Sequence, residues 1–291
     1  MKIILSDFEW VIRTDVFDEL LRSGQFEVNE LSSGMEATVY KIQSKRLNDE
    51  LVLKFWDKRV PGNVWNQYRL LEKLNEIGLP VSRPFALGRN INGEYGLITS
   101  YDGMPLPFEG IEIGHMKAIA NLLVRVHKSN TFEFDRHIPK HDDFIRYFFH
   151  LTEEHADIDK LIQVILRGIT VNTDCMIHGD FNLGNVLVGH GKYTIIDWTN
   201  AQLGDKRYDL AWASFLILIY NGDECYREFC EVYTNQIPID SGDMYIFEMI
   251  ACLRWIWLSR IAPIPIQKDT VSRVKRFINN HEELQGIAFL G

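Results

Sequence analysis

Hydrophobic and polar positions change texture once along this chain. Before about Tyr101 the apolar residues come in short runs, 26–31, 38–42 and 51–56, rich in Val, Ile, Leu and aromatics and separated by polar or turn residues such as Ser33-Gly34 and Asn48-Asp49. That pattern predicts three consecutive antiparallel strands. Pro61-Gly62-Asn63 then punctuates the chain, and Leu70, Leu71, Leu74 and Ile77 recur at helical spacing until Gly78 and Pro80 stop them. One amphipathic helix is expected there. Two further apolar stretches, 85–87 and 95–100, complete a predicted sheet of about five strands with a helix on one side.

Past Tyr101, Asp102-Gly103-Met104-Pro105-Leu106-Pro107 reads as a turn-rich linker. Long helical patterns follow: one over 113–127, one or two between 142 and 167, and more from about 206 to about 283. A compact strand-loop-strand block over 176–198 interrupts them. The expected architecture is therefore α+β, with a small antiparallel β-sheet lobe over 1–101, a hinge over 102–107 and a larger, mainly helical lobe over 108–291.

Composition narrows the function classes. The 291 residues are 46% apolar and 24% charged, ordinary values for a globular protein and unlike a fibrous or disordered chain. Lys and Arg minus Asp and Glu is 31 − 40 = −9, so overall charge gives no attraction to nucleic-acid phosphates and no nucleic-acid partner is expected. Cys175, Cys225, Cys230 and Cys252 show no paired spacing and read as reduced core thiols rather than a zinc or disulfide framework. Ile3-Ile4-Leu5 is too short for a signal peptide. The longest apolar stretch, 210–220, is about half of a membrane span. A soluble, cytoplasmic protein with no membrane partner is expected.

The densest chemistry lies in Met176-Ile177-His178-Gly179-Asp180-Phe181-Asn182-Leu183-Gly184-Asn185, followed by Ile195-Ile196-Asp197-Trp198. Apolar runs lead in and out, so Asp180, Asn185 and Asp197 fall at strand ends or in a tight loop. Carboxylate and amide oxygens of this kind suit a hard cation such as Mg²⁺. Lys54, inside Leu51-Val52-Leu53-Lys54-Phe55-Trp56, needs an anion wherever it is buried, because an unpaired ammonium out of water costs several kcal/mol.

His178-x-Asp180 with Asn185 five residues on resembles the kinase catalytic loop, and Ile196-Asp197 resembles the metal-binding Asp that follows it. The particular form, H-G-D-x-x-x-x-N, then I-D-W, then Tyr208-Asp209-Leu210-Ala211, resembles the aminoglycoside phosphotransferase and choline kinase family. That resemblance implies a bilobal protein-kinase-like fold and transfer of the γ-phosphoryl group of ATP, or alternatively GTP, to a hydroxyl of a small molecule, with Mg²⁺ as cofactor. It makes Asp180 the catalytic acceptor of the hydroxyl proton and Asn185 and Asp197 the metal ligands. Lys54 would hold the α- and β-phosphates, and the loop around Gly34 would cover them. Val39 and Val52 would roof an adenine slot floored by Leu187 and Ile196, and backbone groups over Thr99 to Tyr101 would read the adenine edge. Asp209 would brace the catalytic loop, although a helix cap alone also accounts for an Asp there. His178 and His127 read as structural hydrogen-bonding residues.

One position departs from the family. Counting back from Gly78-Leu79-Pro80-Val81, the glutamate that usually pairs with the lysine falls on Gln67, which supplies no charge. Glu72 lies roughly 140° around the helix from it. Three consequences stay open: a slower enzyme, a different partner for Lys54, or lost activity. The last corresponds to a nucleotide-binding pseudokinase or regulatory module. A protein kinase is disfavoured, since no A-P-E element follows Asp197.

The acceptor is open. Asp223, Glu224, Glu228, Glu231, Asp243 and Glu248 would suit an amino sugar, and Trp212, Tyr233, Tyr245, Trp255 and Trp257 would suit a quaternary amine such as choline. The same residues also read as solvated helix faces and core aromatics. Simple sugars remain a further class.

Overall fold

The computed structural model describes residues 5–33, 37–44, 50–56, 64–108, 110–129, 138–141, 143–150 and 154–288. In chain order these form β1 (Phe8–Arg13), α1 (Asp15–Ser23), β2 (Phe26–Ser33), β3 (Thr38–Ser44), β4 (Leu51–Trp56), α2 (Val64–Glu76), β5 (Pro84–Asn90), β6 (Tyr95–Ser100) and β7 (Met104–Pro105). Then come α3 (Gly114–His127), α4 (Phe144–Phe148), α5 (Ala156–Leu166), β8 (Cys175–Ile177), β9 (Val186–Gly189), β10 (Lys192–Ile195) and β11 (Gln202–Gly204). The chain ends with α6 (Lys206–Asn221), α7 (Asp223–Thr234), α8 (Ser241–Ile261) and α9 (Thr270–Asn279). They fall into two compact units, one of 1–104 with 187–199 and one of 105–186 with 200–291.

In the first unit, among the described residues, six strands form a sheet in the order β1-β5-β6-β4-β3-β2, with antiparallel pairing throughout. Successive side chains of a strand point to opposite faces, and this alternation divides the sheet. Tyr40, Ile42, Leu51, Leu53, Phe55 and Ile98 pack with Phe8 and with Phe17 and Leu20 of α1 into one core. The register pairs Val39 with Lys54 and Val52 with Thr99, so these four share the other face. A slip of one residue would expose Leu53 and Phe55 and bury Lys54, which is why the register is fixed.

The unit differs from expectation in two ways. β1 and α1 were not foreseen; they add an edge strand paired with β5 and the helix that seals the core. The second difference is the boundary. A contiguous division at 102–107 assigns 187–199 to the helical part, whereas this hairpin packs with the β-rich unit. The Ile195 N–H donates to the Pro80 carbonyl at 2.7 Å, and Val81 bridges Ile195 in parallel.

The second unit is built around α6 and α8. The side chain of Asp205 caps α6 by accepting from the Arg207 N–H at 3.0 Å, and that of Asp240 caps α8 by accepting from Gly242 at 2.8 Å. Both helices are apolar nearly all round because both are central: Phe215, Ile219, Phe247, Ile250, Leu253 and Ile256 belong to one buried cluster with residues of α5 and α9. The helix expected over 113–127 is α3, and the stretch between 142 and 167 yields α4 and α5. All four cysteines are free. No described helix is long and apolar enough to cross a membrane.

Glu248 is an acid inside this helical core, 9% exposed. Burial pushes its carboxyl above the usual range, opposed by the Tyr226 hydroxyl, which donates to it at 2.6 Å. A folded-state value above the unfolded one means that the folded chain holds this proton more tightly. The resulting stability is fully present below about pH 4.5, the ordinary value, and is lost as pH rises through the folded value. Glu248→Gln keeps an acceptor for Tyr226 and removes the titration. Its Tm relative to the native protein is therefore expected to rise between pH 4 and 8, by about 1.4 kcal/mol of stability for each unit of displacement. Parallel Tm profiles for the two proteins would exclude the displaced titration.

Candidate functional site

In the first unit the chemistry gathers around Asp197. Lys54 Nζ donates to Asp197 Oδ1 at 2.7 Å, and the Thr199 hydroxyl donates to the same oxygen at 2.8 Å. Gln67 Nε2 in turn donates to Thr199 Oγ1 at 3.0 Å. Asp197 has φ +61°, a left-handed conformation that costs most residues about 1–2 kcal/mol and that Asp tolerates better than most. The adjoining Trp198 indole N–H donates to the Ile195 carbonyl at 3.1 Å, which ties down the turn. Lys54 also lies 5.1 Å from the Trp56 ring.

This network answers the question raised by Gln67. The carboxylate facing Lys54 is Asp197. Gln67 reaches Thr199 instead, and Glu72 pairs with Arg69 at 2.9 Å.

The other residues expected to hold a nucleotide are placed as follows. Val39, Val52 and Thr99 share the Lys54 face of the sheet, as the register requires. Leu187 is buried in β9, and Ile196 is half-buried next to Asp197. The Tyr101 ring lies under Lys41 Nζ at 3.8 Å, and Lys41 pairs with Glu50 at 2.8 Å. The N–H groups of Ser100 and Tyr101 are already committed, to the carbonyls of Arg83 and Glu50 at 2.9 Å each. Of the backbone groups expected over Thr99 to Tyr101, these two N–H groups are thus already occupied. Gly34 lies outside the described residues.

In the second unit the loop that begins at His178 is suspended from Asp209. This carboxylate has no exposed surface and accepts from the backbone N–H groups of His178 at 2.6 Å and Gly179 at 2.8 Å. His127 Nε2 approaches it at 3.3 Å, and His127 Nδ1 meets the Tyr233 hydroxyl at 2.7 Å. Because Asp205 is the cap of α6, Asp209 braces the loop rather than capping the helix. Gly179 has φ +78°, and a Cβ there would meet the Asn200 carbonyl oxygen at 2.5 Å, so the loop requires glycine.

Asp180 follows, its side chain 29% exposed. Trp212 Nε1–H donates to Oδ1 at 2.8 Å, and Arg254 Nη2 lies 3.5 Å from the same oxygen. Arg254 also donates from Nη1 to the Gly179 carbonyl at 2.8 Å and stacks 4.2 Å from the Trp212 ring and 4.8 Å from Phe148. Asn185 Nδ2 donates to the Asp180 carbonyl at 2.9 Å and approaches Oδ2 at 3.3 Å, which leaves the amide oxygen as its acceptor atom. His178 is fully buried.

Trp212, Arg254 and Thr199 were not foreseen in these roles. A lone Arg inside the apolar run of α8 was a signal available in the sequence; the other two gave none. The aromatics considered for a quaternary amine are mostly core: Trp212, Tyr233, Trp255 and Trp257 are all buried. Among the acids, Asp223 pairs with Arg276 and Asp243 with Arg207.

Asp197 in the first unit and Asn185 in the second each offer oxygen of the kind a hard cation takes, carboxylate and amide respectively. Among the described residues no three His, Cys, Asp or Glu side chains form a metal cage. Mg²⁺ characteristically asks for only one or two carboxylates, completing its shell with water and phosphate oxygens.

A model of the phosphotransferase enzyme family matches residues 27–241. A curated relative, a LicA homologue of Mycoplasma capricolum subsp. capricolum, is 27% identical over 164 residues, 53% of this chain and 64% of that protein. The match thus spans less than two thirds of the relative's length. Many solved structures share the fold, two of them as follows. One is a choline kinase from Cryptosporidium parvum Iowa II, at 15% identity and TM-score 0.65 over 90% of each chain. The other is an amicoumacin kinase solved with AMP-PNP, Ca²⁺ and Ami, at 15% identity and TM-score 0.64 over 95% of this chain and 97% of that one. With the family model covering most of its length, and with the kinase-like fold that the 178–209 block implied, the chain belongs to the phosphotransferase enzyme family.

Proposed function

We propose that this protein transfers the γ-phosphoryl group of ATP, with GTP as the alternative donor, to a hydroxyl of a small molecule. The observation that carries the reading is the setting of Asp180. Its carboxylate is partly exposed and held at Oδ1 by an indole N–H at 2.8 Å, on a loop fixed by Asp209. Phosphoryl transfer is mainly positioning and charge neutralisation, so a carboxylate held in one orientation is the part that distinguishes an enzyme from a binding module.

Asp180 orients the acceptor hydroxyl and takes its proton. Lys54 neutralises phosphate charge. Asn185 and Asp197 are the residues that would hold Mg²⁺, which when bound neutralises charge on the β- and γ-phosphates. Support for nucleotide and divalent-metal use comes from the relative solved with AMP-PNP and Ca²⁺. The alternative of an inactive module is motivated by Gln67 and by the single glycine of the loop around Gly34; Asp197 beside Lys54 weighs against the first, and Gly34 lies outside the described residues. The acceptor class stays a small hydroxyl compound.

An ADP-release assay over aminoglycosides, choline, ethanolamine, homoserine and simple sugars tests the reading. Turnover with at least one acceptor is expected, and Asp180→Asn should lower kcat by roughly 10²- to 10⁴-fold with Mg·ATP affinity retained. Nucleotide binding without turnover on any acceptor would favour the module instead. Trp212→Phe keeps the ring and removes the N–H. Losing one hydrogen bond to a charged group, about 1.5–3 kcal/mol, should lower kcat at least tenfold without raising KM for ATP. That loss should vanish in an Asp180→Asn background, where additive effects would count against Trp212 acting through Asp180.

A further inference from the structure

We infer that Gln67 and Thr199 form a directional relay that positions Asp197, so that the amide at 67 is a working substitute for a glutamate rather than a loss. The inference rests on the reading of Asp197 as the residue facing the metal and phosphates. Its basis is proton bookkeeping within three contacts. An ionised Asp197 carboxylate only accepts, so the Thr199 hydroxyl 2.8 Å from Oδ1 must give its single proton to it. The Thr199 oxygen, 3.0 Å from the Gln67 amide, can then only accept. Gln67 must therefore present its NH₂ group, and it is the amide that sets the direction of the chain.

A carboxylate at 67 would reverse that direction. Having no proton to give, it would draw the Thr199 proton toward itself and away from Asp197. It would also offer Lys54 a second anion in place of the pair now 2.7 Å apart. With glutamine, Oδ1 of Asp197 receives two donors, Lys54 Nζ and Thr199 Oγ1. Two donors on one oxygen fix the rotation of a carboxylate whose backbone sits at φ +61°, a conformation that needs support from its surroundings. Gln67 and Thr199 are thus positioning residues acting through Asp197.

The test is calorimetric titration of ATP, with and without Mg²⁺ and with no acceptor present, on the full chain and on Thr199→Val, Thr199→Ser, Gln67→Leu and Gln67→Glu. The readout is the factor by which Mg²⁺ tightens ATP binding, with Tm confirming that each variant is folded. Thr199→Val, nearly the same shape without the hydroxyl, should reduce that factor about tenfold. Thr199→Ser should restore it to within about twofold. Gln67→Glu should lose as much as Thr199→Val, and Gln67→Leu less, since Thr199 can still donate. A native-like factor in folded Thr199→Val, or a Gln67→Glu protein no worse than Gln67→Leu, would overturn the relay while leaving the proposed function standing. Wild-type protein that binds no ATP under either condition would overturn both.

Discussion

A carboxylate with no exposed surface has to be satisfied from within, and Asp209 is satisfied largely by backbone. Burying such a charge without partners costs several kcal/mol; here the N–H groups of His178 and Gly179 and the ring of His127 supply them. Because two of the three are main-chain donors, the carboxylate fixes the path of the loop and not merely a side chain. The same His127 ring lies between Asp209, 3.3 Å from Nε2, and the Tyr233 hydroxyl, 2.7 Å from Nδ1. The buried carboxylate of α6 thereby joins the loop to α3, and through His127 to α7, and Asp180 is the first side chain the loop presents beyond it.

The β-rich unit solves a related problem by geometry. Strand alternation leaves Lys54 on the face opposite the core of Leu53 and Phe55, and the 187–199 hairpin packs with the same unit. Lys54 thus gains Asp197 without giving up solvent altogether, its side chain remaining 23% exposed. In each unit an acidic residue central to the proposed chemistry has one oxygen gripped by two donors: Trp212 and Arg254 on Asp180, and distant Lys54 with neighbouring Thr199 on Asp197. Anchoring one oxygen restricts rotation of the carboxylate while the group keeps its charge.

What could be read in advance follows the range of the interactions. His178, Asp180, Asn185, Asp197 and Asp209 stood out because they keep the order and spacing of a known family motif, and α3 and α6 because their apolar positions repeat. β1 and α1 carried readable signals as well, alternation in Phe8-Glu9-Trp10 and helical spacing of Phe17, Leu20 and Leu21, but they lie outside the block where the chemistry concentrates. The roles of Trp212 and Thr199 had no local signature. An indole buried at helical spacing looks like core, and Trp212 is core through its ring while its N–H serves Asp180. A threonine hydroxyl takes its role from whichever groups tertiary folding brings to it. The assignment of 187–199 was likewise hidden, since chain order places it among helical segments while its hydrogen bonds lie with Pro80 and Gln67.

The aromatic residues of the helical unit bear on acceptor recognition by what they are already doing. A ring that cages a cationic ligand needs a face open to it. The Trp212 face is taken by the Arg254 guanidinium at 4.2 Å. Tyr233 is buried with its hydroxyl on His127, and Trp255 is buried with its indole N–H on the Tyr220 hydroxyl at 3.2 Å. Tyr245, at 36% the exposed member of the set, stacks on His281 and donates to Glu283. Of this set Trp212 lies against a cation of the protein itself, Arg254, which also stacks on Phe148 and Tyr208 and approaches Asp180 Oδ1 at 3.5 Å. Trp212 thus serves the proposed proton acceptor twice, through its indole N–H on Asp180 and through the ring face that holds Arg254.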